Sequence, residues 1–164
     1  MRKLTLADYQ ALAEFRYQIR KFLHFSEQAV EAAGLERGQY QLMLAIKGMP
    51  EGVRPRIREV ANRMQIQHHS AVELTNRLEE HRMIRRLRSR ADRREVLLRL
   101  TPHGESLLQR LSLAHRAELQ LAGPKLLEAL DSVVAQWNPS TKFGIHKIKN
   151  QGHPRSAKRS ARAR

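Results

Sequence analysis

Apolar residues recur three and four apart from Asp8 to Ala33, at Leu12, Phe15, Ile19, Phe22, Leu23, Ala29 and Val30. This spacing predicts a long amphipathic helix, with Gly34 placed to stop it. A second helix is expected from Glu36 to Lys47, ended by the breakers of Gly48-Met49-Pro50-Glu51-Gly52. Ile57, Val60, Ala61 and Met64 then make one short apolar face, and Ala71, Val72, Leu74, Thr75 and Leu78 make another. Gln65-Ile66-Gln67 reads as the turn between them. Two short apolar runs, Met83-Ile84 with Leu87 and Val96 to Leu100, flank the polar stretch Ser89 to Arg94 and predict a two-stranded hairpin. Thr101 is an N-cap, followed by Pro102 at the first helical position and Glu105 near the positive end of the helix dipole. The helix they open should run to about Leu121, break at Gly123-Pro124, and be followed by a separate helix carrying Leu126, Leu127, Leu130, Val133, Val134 and Trp137. The fold class expected is mainly α with a small β-hairpin: a winged helix-turn-helix lobe at 36–100 between flanking helices at 5–34 and 102–137.

Charge changes this picture from a small helical domain to one with a polyanionic partner. The net charge is +15. Residues 138–164 carry eight Lys/Arg and no acid, leaving 23 Lys/Arg against 16 Asp/Glu in residues 1–137. The folded part therefore has an excess of its own, and 138–164 is expected to be a basic flexible tail. No cysteine is present, which excludes disulfides, thiolate metal sites and thiol redox sensing. The start of the chain has no apolar run fit for a secretory signal, and no stretch is apolar enough to span a bilayer, so a cytoplasmic protein without membrane contact is expected.

In a winged helix-turn-helix the second helix enters the DNA major groove and the first crosses the backbone. The polar side of that second helix offers Gln67, His68, His69, Ser70, Glu73, Asn76 and Arg77. Gln and Asn can bond adenine twice, Arg can bond guanine twice, and Glu can accept from cytosine. From Arg82 to Arg99 there are eight arginines and two acids. Arg88, Arg90, Arg93 and Arg94 are the candidates for laying charge along the minor groove, with Asp92 stiffening the loop by pairing with a neighbour. Polar helix faces and charge runs are ordinarily solvated surface; their succession in one lobe is what favours binding.

The pieces Ile57-Arg58-Glu59-Val60-Ala61, Leu74 to Glu80, Met83-Ile84-Arg85-Arg86, Asp92-Arg93-Arg94 and Leu100-Thr101-Pro102-His103-Gly104 stand in the order and at the spacing of the MarR (multiple antibiotic resistance regulator) family signature. The chain resembles that family over residues 5–137. It departs from the pattern at Gln65 and Arg82, where Gly is common, and at His68-His69, where Ser or Thr is usual. The resemblance implies a homodimer built from the first helix and the C-terminal helices, double-stranded DNA carrying an inverted repeat as partner, and repression relieved by a small aromatic or carboxylate effector. Tyr9, Phe15, Arg16, His24, Tyr40 and Met43 are the candidate effector pocket.

No cofactor is expected. His24, His81 and His115 form no ligand-spaced motif for a metal. Phosphate loops, nucleophile elbows and zinc-protease motifs are missing, so the chain does not read as an enzyme. The rival reading is a winged-helix protein that binds DNA or RNA without sequence preference, which a basic hairpin and tail would serve equally.

Overall fold

A computed structural model describes residues 3–89 and 95–137. The elements follow in the order α1 Leu6–Ala32, α2 Arg37–Lys47, α3 Ile57–Met64, α4 His68–Glu80, β1 Ile84–Arg88, β2 Val96–Leu100 and α5 Pro102–Trp137. This is the expected mainly helical fold with one antiparallel hairpin, in register from Ile84 opposite Leu100 to Arg88 opposite Val96.

Local chemistry explains the ends. At α1, Thr5 and Asp8 make a capping box: the Thr5 hydroxyl accepts from the Asp8 N–H at 3.3 Å and the Asp8 carboxylate accepts from the Thr5 N–H at 2.7 Å. Past α1, Gly34 turns the chain at φ +76°, and the Leu35 N–H bonds back to the Val30 carbonyl at 3.1 Å. Thr101 caps α5 as expected, its hydroxyl accepting from the Gly104 N–H at 3.1 Å and donating to the Arg82 carbonyl at 2.7 Å.

One expectation is corrected. Gly123-Pro124 does not divide the C-terminal segment; α5 is a single helix of 36 residues with Pro124 inside it. Proline removes one N–H, the partner of the Gln120 carbonyl, and Gln120 and Pro124 are both exposed, where solvent can take the place of a missing helix bond. Gly123 supplies no Cβ for the proline ring to strike, the clash that ordinarily ends a helix before proline. Packing supplies the rest, because α1 lies along α5 in the most extensive contact of the fold.

The core is aliphatic. It joins the end of α1 to α2, α3, α4, the hairpin and the first turns of α5, with Leu42, Met43, Leu78, Ile84 and Leu98 at its centre. Outside it, α1 and α5 expose large apolar side chains, among them Leu6 at 73%, Tyr9 at 57% and Leu121 at 79%. Among the described residues, no helix is long and apolar enough to cross a membrane.

Candidate nucleic-acid interface

The two helices of the motif are joined by a turn that the backbone closes tightly. Gln65 takes the left-handed conformation at φ 54°, the Ile66 N–H bonds the Ala61 carbonyl at 3.1 Å, and the Gln65 side-chain amide donates to the Asn62 carbonyl at 2.7 Å. α4 buries Ala71, Thr75 and Leu78 and rests Leu74 on α2. Thr75 hides its hydroxyl by donating to the Ala71 carbonyl at 2.6 Å. The opposite side presents His69, Glu73 and Asn76 to solvent, with Gln67 and His68 exposed at the helix start and Ser70 half-buried beside them. No side chain caps this N-terminus. Its first-turn N–H groups and the positive end of the dipole are therefore left to an outside acceptor.

Two of the expected base readers are already engaged. Arg77 donates from Nη1 to both Glu36 oxygens, at 2.9 and 2.8 Å, and from Nη2 to Glu73 at 2.5 Å. The Glu36 carboxylate, then Glu73, holds the guanidinium even more firmly protonated than usual. Asn76 Oδ1 accepts from Arg86 Nη2 at 2.7 Å. Arg86, on β1, also pairs with Glu79, whose carboxylate in turn accepts the Arg86 backbone N–H at 3.0 Å. The hairpin is thus bolted to α4 through its first strand.

A second bolt joins the hairpin to the segment ahead of α3. Glu95 pairs with Arg54 at 2.6 Å and with Arg56, and its side chain is only 8% exposed. The Leu98 N–H bonds the Pro55 carbonyl at 2.8 Å, and the Ser89 N–H bonds the Glu95 carbonyl at 2.9 Å. The hydrogen bond from Arg54 chiefly, with help from Arg56 and Ser89, keeps the Glu95 carboxyl below its ordinary range against the opposing effect of burial. Arg88 is exposed at the end of β1; Arg90, Asp92, Arg93 and Arg94, and all of 138–164, lie outside the described residues.

Arg86, Glu79, Glu95, Arg54, Arg56 and Glu36 were not singled out from the sequence. The pairs Arg54–Glu95, Arg56–Glu95 and Glu36–Arg77 span 41, 39 and 41 positions, so local spacing carries no signal for them.

A cavity of about 600 Å³ lies between α1, α2 and α3, with Ser26, Tyr40, Arg37 and Arg63 among its lining residues. Of the six residues expected in an effector pocket only Tyr40 lines it. Met43 is wholly buried in the core, while Tyr9, Arg16 and His24 are exposed and Phe15 is half-buried. Arg16 and Tyr9 precede the lining residue Leu23 by seven and fourteen positions. At a rise of about 1.5 Å per residue they stand about 10 and 21 Å away along α1.

Behind the cavity, His115 of α5 is buried, stacked on Tyr40 at 4.6 Å, and its Nε2 lies 2.7 Å from the Ser26 hydroxyl. Its Nδ1 lies 2.5 Å from the Leu111 carbonyl. A carbonyl only accepts, so Nδ1 carries a proton and donates to Leu111, while Nε2 and the Ser26 hydroxyl satisfy each other. Among the described residues, no group of three or more His, Asp or Glu is arranged to hold a metal.

Residues 33–95 match the model of the MarR family. AbsC, a MarR family transcriptional regulator from Streptomyces coelicolor, is 23% identical, with 85% of this chain and 95% of that one aligned at a TM-score of 0.65. A mutant of MepR from S. aureus bound to an oligodeoxyribonucleotide is 19% identical over 85% of this chain and 100% of its own, TM-score 0.55. CouR from Rhodococcus jostii, bound to p-coumaroyl-CoA, is 22% identical over 74% and 87%, TM-score 0.56. No curated protein matches.

Proposed function

We propose that this chain, whose winged helix-turn-helix lobe is of the MarR family, is a transcription regulator that binds a specific double-stranded DNA site as a homodimer and acts without catalysing a reaction. The observation that carries the proposal is the exposed, polar first turn and outer face of α4, uncapped at its N-terminus and flanked by a hairpin bolted in place. His68, His69, Ser70 and Gln67 reach base edges and phosphates, Asn76 keeps its amide N–H groups for an acceptor such as a purine N7, and Arg88 lies along the minor groove. MepR, of the same fold, with an oligodeoxyribonucleotide bound, supports the choice of DNA.

The apolar residues exposed on α1 and α5 are the material for a two-fold interface, and a dimer would space its reading helices about 34 Å apart, one duplex turn. The site is then an inverted repeat and the outcome repression. The cavity beneath α2, together with the p-coumaroyl-CoA bound by CouR, supports release by a small aromatic or carboxylate effector.

Selection of bound sequences from random duplex DNA at near-physiological salt tests this. Enrichment of an inverted repeat, with a preference of about 10³ or more over random DNA, is the expected result. Tight but unselective binding, steeply weakened by salt, would instead identify a nonspecific nucleic-acid binder.

A further inference from the structure

We propose that Arg77 is a positioning residue for DNA recognition and not a reader of bases, and that Glu36 is its anchor. The inference rests on α4 being the reading helix. To read guanine, an arginine presents two N–H groups of one edge to O6 and N7. In Arg77 both terminal nitrogens are turned to carboxylates, Nη1 to Glu36 at 2.9 and 2.8 Å and Nη2 to Glu73 at 2.5 Å.

Beside this pair the two helices touch directly. A Cβ on Gly38 would lie 3.1 Å from both Leu74 methyl groups, so the first turn of α2 rests on α4 one helical turn from Arg77. The apolar contact at Gly38–Leu74 fixes the distance between the helices, and the ion pair at Glu36–Arg77 fixes the rotation of α4 about that contact. The same turn of α2 is held on its other side, where Arg37 pairs with Glu27 at 3.1 Å and Glu31 at 3.6 Å on α1. The orientation of the reading helix is therefore referred back to α1 through three consecutive residues, Glu36, Arg37 and Gly38. Arg77 has a second effect: it offsets the charge of Glu73, which would otherwise repel phosphates from the outer face of α4.

The experiment compares wild type, Arg77→Ala, Glu36→Gln and the double variant, each checked by melting. Affinity is measured for the duplex that wild type selects and for a scrambled duplex. Both single variants are expected to lose preference by the same factor, about tenfold, spread over the half-site, with the double variant no worse than either. Loss confined to one base position in Arg77→Ala, with Glu36→Gln unaffected and the two effects multiplying, would overturn the proposal. Hydrogen exchange of the DNA-free proteins gives an independent arm: both single variants speed exchange in α4 and the first turn of α2 alike. Unchanged exchange would refute the anchor whatever the selection yields. A wild type that selects no sequence would refute the reading of α4 while leaving this arm to decide the anchor.

Discussion

Gly104→Ala sets helix propensity against a close approach, and the structure predicts which wins. Gly104 is buried in the first turn of α5, where a Cβ would stand 2.0 Å from the Met83 carbonyl oxygen and 2.9 Å from its carbon. Since Cβ contacts under 3.0 Å essentially never occur, the carbonyl must retreat by about 1 Å. That oxygen accepts the Thr101 N–H at 2.9 Å and lies 3.2 Å from the Thr101 hydroxyl, so the shift breaks the joint between β1 and α5. Overpacking costs about 1–3 kcal/mol and a lost buried bond about 1 kcal/mol. The propensity gain of alanine offsets at most about 1 kcal/mol. The net expectation is a loss of about 2 kcal/mol, or about 4–8 °C in melting temperature for a chain of this size. Urea and thermal unfolding at one fixed protein concentration measure it, because dimerisation would otherwise enter the midpoint. A variant as stable as wild type, or more so, would show that the approach at Met83 is not real.

Arg82 stands at φ 56°, where a side chain costs about 1–2 kcal/mol, and glycine gives part of that back in unfolded-state entropy. Arg82→Gly should raise stability by about 1 kcal/mol in the same unfolding assay; a fall would mean that the arginine's contacts outweigh its backbone strain. Ser26→Ala strands the buried Nε2 of His115 and should cost about 1–3 kcal/mol, with a change in the His115 ring ¹⁵N shifts; unaltered stability would argue against the bond. Glu95 has a depressed carboxyl pKa, so its contribution is complete above the ordinary value of 4.5 and is lost only as pH falls through the depressed value. The stability gap between wild type and Glu95→Gln should accordingly stay flat from neutral pH down to 4.5 and close below it. A gap that closes on the way down to that value would contradict the Arg54 and Arg56 clamp.

Much of the fold was legible because its signals are local. The capping of α5 by Thr101 and the stop at Gly34 depend on residues within a turn of one another. Even the departures from the MarR pattern were informative: Gln65 and Arg82, noted for standing where glycine is common, are the two non-glycine residues with positive φ among those described. What local signals do not carry is decided at a distance. Pro124 is a breaker by local chemistry, and the long packing of α5 on α1 overrides it. Arg77 carries the right chemistry for guanine, and only its place opposite Glu36 in the folded lobe shows what occupies it.

Charge in this lobe separates into two kinds. Arg54, Arg56, Arg77 and Arg86 are each closed onto carboxylates, and each closure joins two elements: the segment ahead of α3 to the hairpin, α4 to α2, and β1 to α4. Arg58, Arg63, Arg85 and Arg88 are exposed and have no ion pair among the described residues. Only the second kind can exchange a solvated state for a phosphate without breaking a protein contact, and so release a counterion at no structural cost. The acids Glu36, Glu79 and Glu95 spend their charge on the scaffold, where it removes arginines from the pool that a net-charge count would assign to DNA. A lobe this basic therefore has fewer phosphate contacts to offer than its composition implies. Of the arginines withheld from the phosphates, Arg86 holds the hairpin to α4, Arg77 holds α4 to α2, and Arg54 with Arg56 holds the hairpin to the segment ahead of α3.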